Sequence, residues 1–208
     1  MLEILDVALG DERTPVLPPF SAVLPDDAPA FASAEGERGP MLASLIAAGR
    51  LLPDRGTVLL DGVADLAAVR RAVALVDTPV VSEAPASLPV AAVVREELRF
   101  AGLPSGRRSI AEALDPFGLL AWLRRPIGDL LPDDRLRLLL GLAAMRPGVR
   151  ALVLTAPERH GGRAEGWTVL AHEYAERGMP VLVLGGAAAV EALPASAGAT
   201  ITTAGASR

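Results

Sequence analysis

The order of apolar and polar residues predicts a chain in which strands and helices alternate. Short apolar runs, several of them interrupted by proline, predict strands at residues 2–9, 15–24, 28–34, 57–60, 73–76, 151–154, 180–184 and 200–203. Apolar residues at helical spacing predict helices at residues 41–49, 90–100, 110–120, 121–124, 133–145, 163–177 and 187–193. The strands at 151–154 and 180–184 are apolar throughout, which is typical of a parallel sheet covered by helices on both faces.

The organisation along the chain indicates one α/β domain over residues 1–208. The first third is rich in predicted strands, whereas residues 80–130 carry mainly helical spacing. The sequence contains no internal repeat and no linker long enough to separate two domains. We therefore expect a single domain with a helical insertion at residues 80–130.

The composition excludes several classes of catalytic site. All 20 basic residues are arginine, and lysine, asparagine, glutamine and cysteine are absent. Without lysine the chain has no P-loop lysine, Schiff-base lysine or lysine general base. Without cysteine it has no disulfide, thiolate nucleophile or cysteine-ligated metal site. A genome biased against A-rich codons would also produce this composition, so function alone need not explain it.

Charge and hydropathy predict a cytoplasmic protein without a nucleic-acid partner. The net charge is −5, whereas a nucleic-acid-binding face requires a basic surface. The longest apolar stretches, such as residues 138–145, are much shorter than the roughly 18 residues needed to cross a bilayer. The N-terminal residues are acidic and lack a basic region, so we expect no signal peptide.

The two histidines suggest two other kinds of site, a metal site and a catalytic site. His172 and Glu176 faintly resemble a helical metal motif, but the second histidine is missing, and a solvated helix surface explains the pattern better. His160 follows the carboxyl end of a predicted parallel strand, where α/β proteins place their sites, although a loop residue is the simpler interpretation. A Ser-His-Asp hydrolase would need a Gly-x-Ser-x-Gly turn, which the sequence lacks. We therefore predict no metal site.

The order of elements, together with residues 52–62 (LPDRGTVLLDG), resembles the nucleotide-binding subunit of ATP-binding-cassette (ABC) transporters. In that family a glycine loop and a buried helix precede a pro-asp-x-gly-x-val segment, which leads into a strand ending in asp-gly. The resemblance covers almost the whole chain in the correct order. It implies a P-loop NTPase-like fold: a mostly parallel core sheet flanked by helices, an N-terminal antiparallel β portion and a small helical subdomain.

The resemblance places the phosphate loop on residues 34–41 (AEGERGPM), where only part of the glycine pattern remains. The family's lysine falls on Pro40 and its magnesium-binding hydroxyl residue on Met41. Proline removes one backbone N–H donor, and a thioether does not ligate Mg²⁺. Glu35 and Glu37 add negative charge to the loop. The vestigial nucleotide-loop positions are Gly36, Arg38, Gly39, Pro40, Met41 and Leu42.

The family's catalytic carboxylates are also replaced. Its magnesium-binding aspartate and its catalytic glutamate fall on the vestigial Walker B positions Thr155 and Ala156. Neither residue can orient or deprotonate an attacking water. Glu158 could serve only in a shifted register, and Arg159 is an equally good salt-bridge partner for it.

Three further motifs of the family have lost their chemistry. The loop glutamine falls on about Thr78, and the switch histidine falls on Gly186. The signature segment corresponds to residues 130–135 (LLPDDR), which contain no serine and no glycine pair. Arg135 still matches the basic start of the following helix. We therefore predict no catalytic residue, no firmly bound cofactor, and ATP with Mg²⁺ only as a weak vestigial ligand.

The resemblance implies a catalytically degenerate, non-hydrolytic or regulatory subunit of a membrane transport complex. Its expected partners are a membrane permease, an active ABC ATPase paralogue, or both, at the inner face of the cell membrane, in a homo- or heterodimer. Weak residual activity in trans with such a partner is a further hypothesis. Trp122 is predicted either to pack in the core or to anchor such an interface. The alternative is a free-standing soluble module that uses the former nucleotide cleft for another ligand or protein.

Overall fold

Strands and helices alternate through most of the chain. The computed structural model describes residues 1–11, 13–34 and 36–194, and the backbone of residues 200–203. The strands are β1 (Leu2–Gly10), β2 (Pro15–Leu24), β3 (Ala30–Ser33), β4 (Arg55–Leu60), β5 (Val73–Val76), β6 (Ala151–Thr155), β7 (Val181–Gly185) and β8 (Thr200–Thr203). The helices are α1 (Gly39–Ala47), α2 (Leu66–Ala72), α3 (Val90–Phe100), α4 (Arg107–Leu114), α5 (Pro132–Ala144), α6 (Ala164–Glu176) and α7 (Ala187–Glu191). Short 3₁₀ turns lie at Asp115–Phe117, Leu120–Trp122, Ile127–Asp129 and Pro157–His160.

The strands form two sheets of different kinds. β2, β1 and β4 form an antiparallel sheet in that order. The other sheet has the order β5-β6-β7-β3-β8, and each of its pairs is parallel. The predicted α/β class is therefore confirmed, with its mostly parallel core sheet and N-terminal antiparallel portion.

The parallel sheet is covered on both faces, as its uniformly apolar strands predict. Alternate residues of β3, β5, β6 and β7 belong to two different buried clusters. On one face Val183 and its equivalents pack against α3, α4, α5 and α6. On the other face Leu184 and its equivalents pack against α1, α2 and the antiparallel sheet. Helix α1 therefore lies between the two sheets, and it is the first helix after β3.

Several elements differ from the sequence prediction for local reasons. The helix predicted at 110–120 ends at Leu114, because Pro116 follows and Gly118 adopts a left-handed backbone with φ 69°. The segment 121–124 forms part of a 3₁₀ turn rather than a separate helix. Helix α2 was not predicted; the carboxylate of Asp65 caps it by accepting from the N–H groups of Ala67 and Ala68.

The middle of the chain, between β5 and β6, is mainly helical. Helices α3 and α4 lie between β5 and β6, within residues 80–130. The boundaries of a single domain over residues 1–208 stay a prediction. None of the helices in the described part of the chain is long and apolar enough to cross a membrane.

Gly56 offers a test of the antiparallel sheet. Its φ is 81°, and a Cβ there would collide with the carbonyl of Asp6, where the β1 register is irregular. Gly62 has a similar φ of 79° but open space around the same position. Left-handed backbone costs an L-residue about 1–2 kcal/mol, so Gly62→Ala should lose about that much and Gly56→Ala clearly more. Urea denaturation of both variants measures the difference, and equal losses would show that the close approach to Asp6 is unimportant.

Candidate functional site

The candidate site lies at the carboxyl ends of β3, β5, β6 and β7, the usual place for sites in parallel α/β sheets. The loop from Gly36 to Pro40 connects β3 to α1. Gly36 and Arg38 are exposed, Gly39 and Pro40 are buried, and Met41 and Leu42 are half-buried. Glu35 lies outside the described residues.

The loop folds tightly onto its own backbone. The N–H of Gly39 donates to the carbonyl of Gly36 at 3.0 Å. A Cβ at Gly39 would lie 2.8 Å from the carbonyl oxygen of Ala34, so only glycine fits without a shift. Pro40 lies in the first turn of α1 and supplies no N–H donor. The segment therefore starts the helix as predicted, but it offers few donors for phosphate oxygens.

A chain of buried hydroxyl groups connects the loop to two strand ends. Thr155 Oγ1 donates to Ser44 Oγ at 2.8 Å, and Ser44 Oγ donates to the Pro40 carbonyl at 2.7 Å. Thr78 Oγ1 lies 2.7 Å from Thr155 Oγ1. Each hydroxyl has one proton, so Thr78 must donate to Thr155. All three side chains are fully buried, and their protons are already used within the protein.

Ala156, the other residue predicted to be a vestigial Walker B position, has no reactive side chain. Ala156 adopts a left-handed backbone with φ 45°, and its N–H donates to the Leu184 carbonyl at 2.6 Å. Together, Pro40, Met41, Thr155 and Ala156 supply neither a carboxylate nor a free hydroxyl for Mg²⁺. The residues present at these positions therefore do not fit magnesium-bound ATP.

Glu158 is bound in a different way from the one the sequence suggested. Its Oε1 accepts from the N–H of Gly186 at 2.8 Å, and its buried Oε2 has no hydrogen-bond partner among the described residues. The suggested salt bridge with Arg159 is wrong. Arg159 instead donates to Glu83 Oε1 at 2.9 Å and to the Asp77 carbonyl at 2.6 Å. Glu158 thus fastens the turn after β6 to the end of β7.

An ionic cluster centred on Asp77 lies beside the hydroxyl chain. Asp77 follows β5 directly, and its side chain is fully buried. Arg135, at the start of α5, donates through Nη2 to Asp77 Oδ1 at 2.8 Å and through Nε to Oδ2 at 3.3 Å. His160 Nε2 lies 2.8 Å from Asp77 Oδ2. The sequence predicts only that Arg135 lies at the start of a helix and His160 in a loop. Nothing in it predicts that both residues meet Asp77.

The charge state of Asp77 follows from these contacts. Burial, the largest influence, raises the pKa of this carboxyl group. Hydrogen bonding and charge from His160 and Arg135 act in the opposite direction and prevail, so the pKa of Asp77 is lowered below its ordinary value of 3.8. Asp77 therefore remains a carboxylate at neutral pH.

The other candidate residues have structural contacts. Glu173, within the segment compared to a helical metal motif, accepts from Arg137 Nη1 at 2.7 Å. Within the described ranges, no three His, Cys, Asp or Glu side chains are grouped closely enough to hold a metal ion. Trp122 is half-buried, packs against the core of the helical side, and has the Arg125 guanidinium 5.1 Å from its ring centre. Core packing, one of its two predicted roles, therefore agrees with its contacts.

No family model matches the sequence, and no curated protein matches it either. Solved structures do match the fold. The cbiO1 protein of Clostridium perfringens, part of the ABC transporter complex cbiONQ, shares 18% identity and a TM-score of 0.62 over 93% of this chain and 80% of its own. A putative ABC transporter ATP-binding protein from Pyrococcus furiosus shares 18% identity and a TM-score of 0.64 over 89% and 90%.

A nucleotide-free ATP-binding cassette from an ABC transporter has a TM-score of 0.65 at 13% identity, over 90% of this chain and 81% of its own. The chain has the ATP-binding-cassette fold. The resemblance inferred from residues 52–62 and from the order of elements is therefore confirmed as a likeness of fold. At such low identity the likeness does not carry over the activity of these proteins.

Thr155→Val tests the hydroxyl chain. The change keeps the side-chain volume but leaves the buried Thr78 hydroxyl without an acceptor, which typically costs about 1–3 kcal/mol. Thr57→Val, at a half-buried position on β4, is the control and should change stability by less than about 0.5 kcal/mol. Urea unfolding at pH 7 measures both, and a neutral Thr155→Val would argue against an ordered hydroxyl chain.

Asp77→Asn tests the ionic cluster through pH. Removing one partner of a buried ion pair should destabilise the protein by about 3–5 kcal/mol at pH 7. Because the pKa of Asp77 is lowered in the folded state, its contribution is complete above the ordinary value of 3.8 and is lost as the pH falls through the lowered value. The difference between wild type and Asp77→Asn should therefore shrink below pH 4, as measured by thermal unfolding from pH 2.5 to 7. Exposed Asp27→Asn is the control, and a pH-independent difference would contradict the assignment.

Proposed function

We propose that this chain is a non-hydrolytic ATP-binding-cassette-like subunit, which acts through protein contacts in a membrane transport complex. The observation that carries the proposal is the closed hydroxyl chain Thr78–Thr155–Ser44. These side chains occupy the region where an active cassette would need magnesium ligands and a carboxylate for the attacking water. They are buried, uncharged and already bonded to each other.

The phosphate side of the cleft supports the same proposal. Arg38 is exposed and supplies the only cation within residues 36–42. Pro40 has no N–H to donate, and Gly39 packs against the backbone of Ala34. A triphosphate needs converging N–H donors and a cation together. This loop would offer at most weak, vestigial binding.

The proposed partners follow from the structural neighbours. The cbiO1 protein is part of the transporter complex cbiONQ, and the cassette MJ0796 was solved as a dimer, with a TM-score of 0.61 to this chain at 16% identity. We propose that the present chain likewise associates with a permease, an active ABC ATPase paralogue, or both. Such an assembly would hold it peripherally at the inner face of the cell membrane. Hydrolysis would then belong to the paralogue.

One cavity favours the alternative, a free-standing binding module. A cavity of about 390 Å³ lies between α3, α5 and the segment after β5. Apolar side chains such as Leu88 and Phe100 line it, and Arg50 and Glu96 add charge. Its volume is in the range of small-molecule sites. Its lining includes none of Ser44, Thr78, Thr155 and residues 36–42, however, so it would be a new site rather than a reuse of the nucleotide cleft.

The proposed function predicts neither ATP hydrolysis nor tight ATP binding by the isolated protein. Phosphate release with Mg-ATP should equal that of the Arg38→Ala variant, which removes the loop cation without touching the core. Calorimetric titration with Mg-ATP and Mg-ADP should show no saturable binding below about 1 mM, equivalent to about −4 kcal/mol. Magnesium-dependent micromolar binding, or hydrolysis lost in Arg38→Ala, would overturn the proposal.

Partner association requires a separate experiment in the native membrane. The tagged chain should co-purify with a multi-spanning membrane protein or an intact ABC ATPase after mild detergent extraction. Recovery of the chain only as a free soluble protein, together with saturable binding of a small metabolite, would favour the alternative module.

A further inference from the structure

The segment that leads into the helical part of the chain is held at several points. This segment, residues 77–84, follows β5 and precedes α3. Its ends are fastened by four charged side chains and one histidine, which we call the ionic latch: Asp77, Glu83, Arg135, Arg159 and His160.

The exit from the helical part is fastened to its entry. Arg135 lies in the first turn of α5, where the chain returns from the helical part to the sheet. Besides its two bonds to Asp77, its Nη2 donates to the Ala84 carbonyl at 3.1 Å. One guanidinium therefore joins α5 to both ends of residues 77–84, and a planar fork of donors is well suited to this task.

The end of β6 supplies a second set of contacts to the same segment. Arg159 donates to the Asp77 carbonyl at 2.6 Å and to Glu83 at 2.9 Å. His160 Nε2 lies 2.8 Å from Asp77 Oδ2 and 3.8 Å from Glu83 Oε1. Both residues belong to the 3₁₀ turn that follows β6, and β6 is a strand of the parallel core sheet. The entry segment is thus bound to the core and to the exit helix at once.

The central ion pair of the ionic latch, between Arg135 and Asp77, is shielded from water. The side chains of Arg135 and Asp77 are 4% and 0% exposed. Arg137 lies two residues after Arg135 on α5 and forms an ion pair with Glu173 at a similar distance, 2.7 Å. The side chains of this second pair are 38% and 31% exposed. A buried pair is screened little by salt, whereas an exposed pair contributes little. Arg137 is therefore a matched control for Arg135.

We infer that the ionic latch holds the helical part of the chain in one position against the parallel sheet, with or without nucleotide. The inference deepens the proposed function, and its statement that nucleotide has no effect on this position rests on that function. A subunit that no longer binds ATP tightly cannot use nucleotide binding to set this position, because a ligand shifts a conformational equilibrium only by its differential affinity. The latch sets the position through contacts within the chain.

Spin-label distances test this inference, and the absence of cysteine in the chain makes labelling simple. Arg107→Cys at the exposed start of α4 and Val63→Cys in the exposed turn after β4 report the helical part and the core. Pulsed electron paramagnetic resonance should give one narrow distribution of label-to-label distances. Adding about 5 mM Mg-ATP, a concentration roughly fivefold above a millimolar Kd, should leave this distribution unchanged. Adding Arg135→Gln or Arg159→Gln should broaden the distribution, whereas adding Arg137→Gln should not.

Each outcome has a definite meaning. If Mg-ATP shifts the distance distribution of the labelled protein that has an intact latch, the inference is wrong. It is also wrong if Arg137→Gln broadens the distribution as much as Arg135→Gln and Arg159→Gln do. Unchanged distributions in both of these variants overturn it too. If circular dichroism shows that Arg135→Gln does not fold, Arg159→Gln decides the matter, because it removes contacts nearer the surface. ATP hydrolysis by the wild type would overturn the proposed function, whereas unchanged distances in the variants would overturn only the latch.

Discussion

A carboxylate at the end of a buried strand has to be neutralised by the protein around it. Asp77 is such a group, since it follows four buried residues of β5 and is itself buried. Solvation lost on burial is restored only by close donors and opposite charge. Arg135 supplies both through two hydrogen bonds, and His160 Nε2 lies 2.8 Å from Asp77 Oδ2. This requirement determines the course of the neighbouring chain. It brings the first turn of α5 and the turn after β6 to one point, and it places the hydroxyl chain of Thr78 and Thr155 directly beside an ionic cluster.

The use of arginine alone as the basic residue suits this arrangement. Arg135 binds two carboxylate oxygens and a carbonyl with one planar group, and Arg159 binds a carboxylate and a carbonyl. A lysine ammonium is a compact point charge and cannot span such sets of acceptors in the same way. The contacts of these two arginines are the same whether or not codon bias accounts for the absence of lysine. The composition that first excluded lysine chemistry thus also describes how the charges at the strand ends are paired.

The sequence predicted the scaffold much better than the site. Apolar runs such as Val73–Val76 and Val181–Gly185 identify buried parallel strands because both of their faces must avoid water. The pairing of Asp77 with Arg135 spans 58 residues, and that of Ser44 with Thr155 spans 111. The spacing of apolar residues along the sequence does not reveal such pairings, because they depend on which strands become neighbours in the sheet. One signal was available: Asp77 and Thr155 are polar residues directly at the ends of apolar strands. The partner of Glu158 could not be inferred, because adjacent Arg159 turned towards Glu83 instead.

The uncharged side chains of Thr155 and Ala156 suit the electrostatics at the end of a buried strand. Adjacent carboxylates at the end of a buried strand repel each other and lose solvation, and a divalent cation is what offsets both effects. Where no cation is held, a hydroxyl that can both donate and accept is a better neighbour for Ser44 than a second charge. The acids that remain here have partners of other kinds: arginines for Asp77 and Glu83, and the N–H of Gly186 for Glu158. Introducing a carboxylate here, as in Thr155→Asp, would therefore bury an unpaired charge beside Ser44 and Thr78.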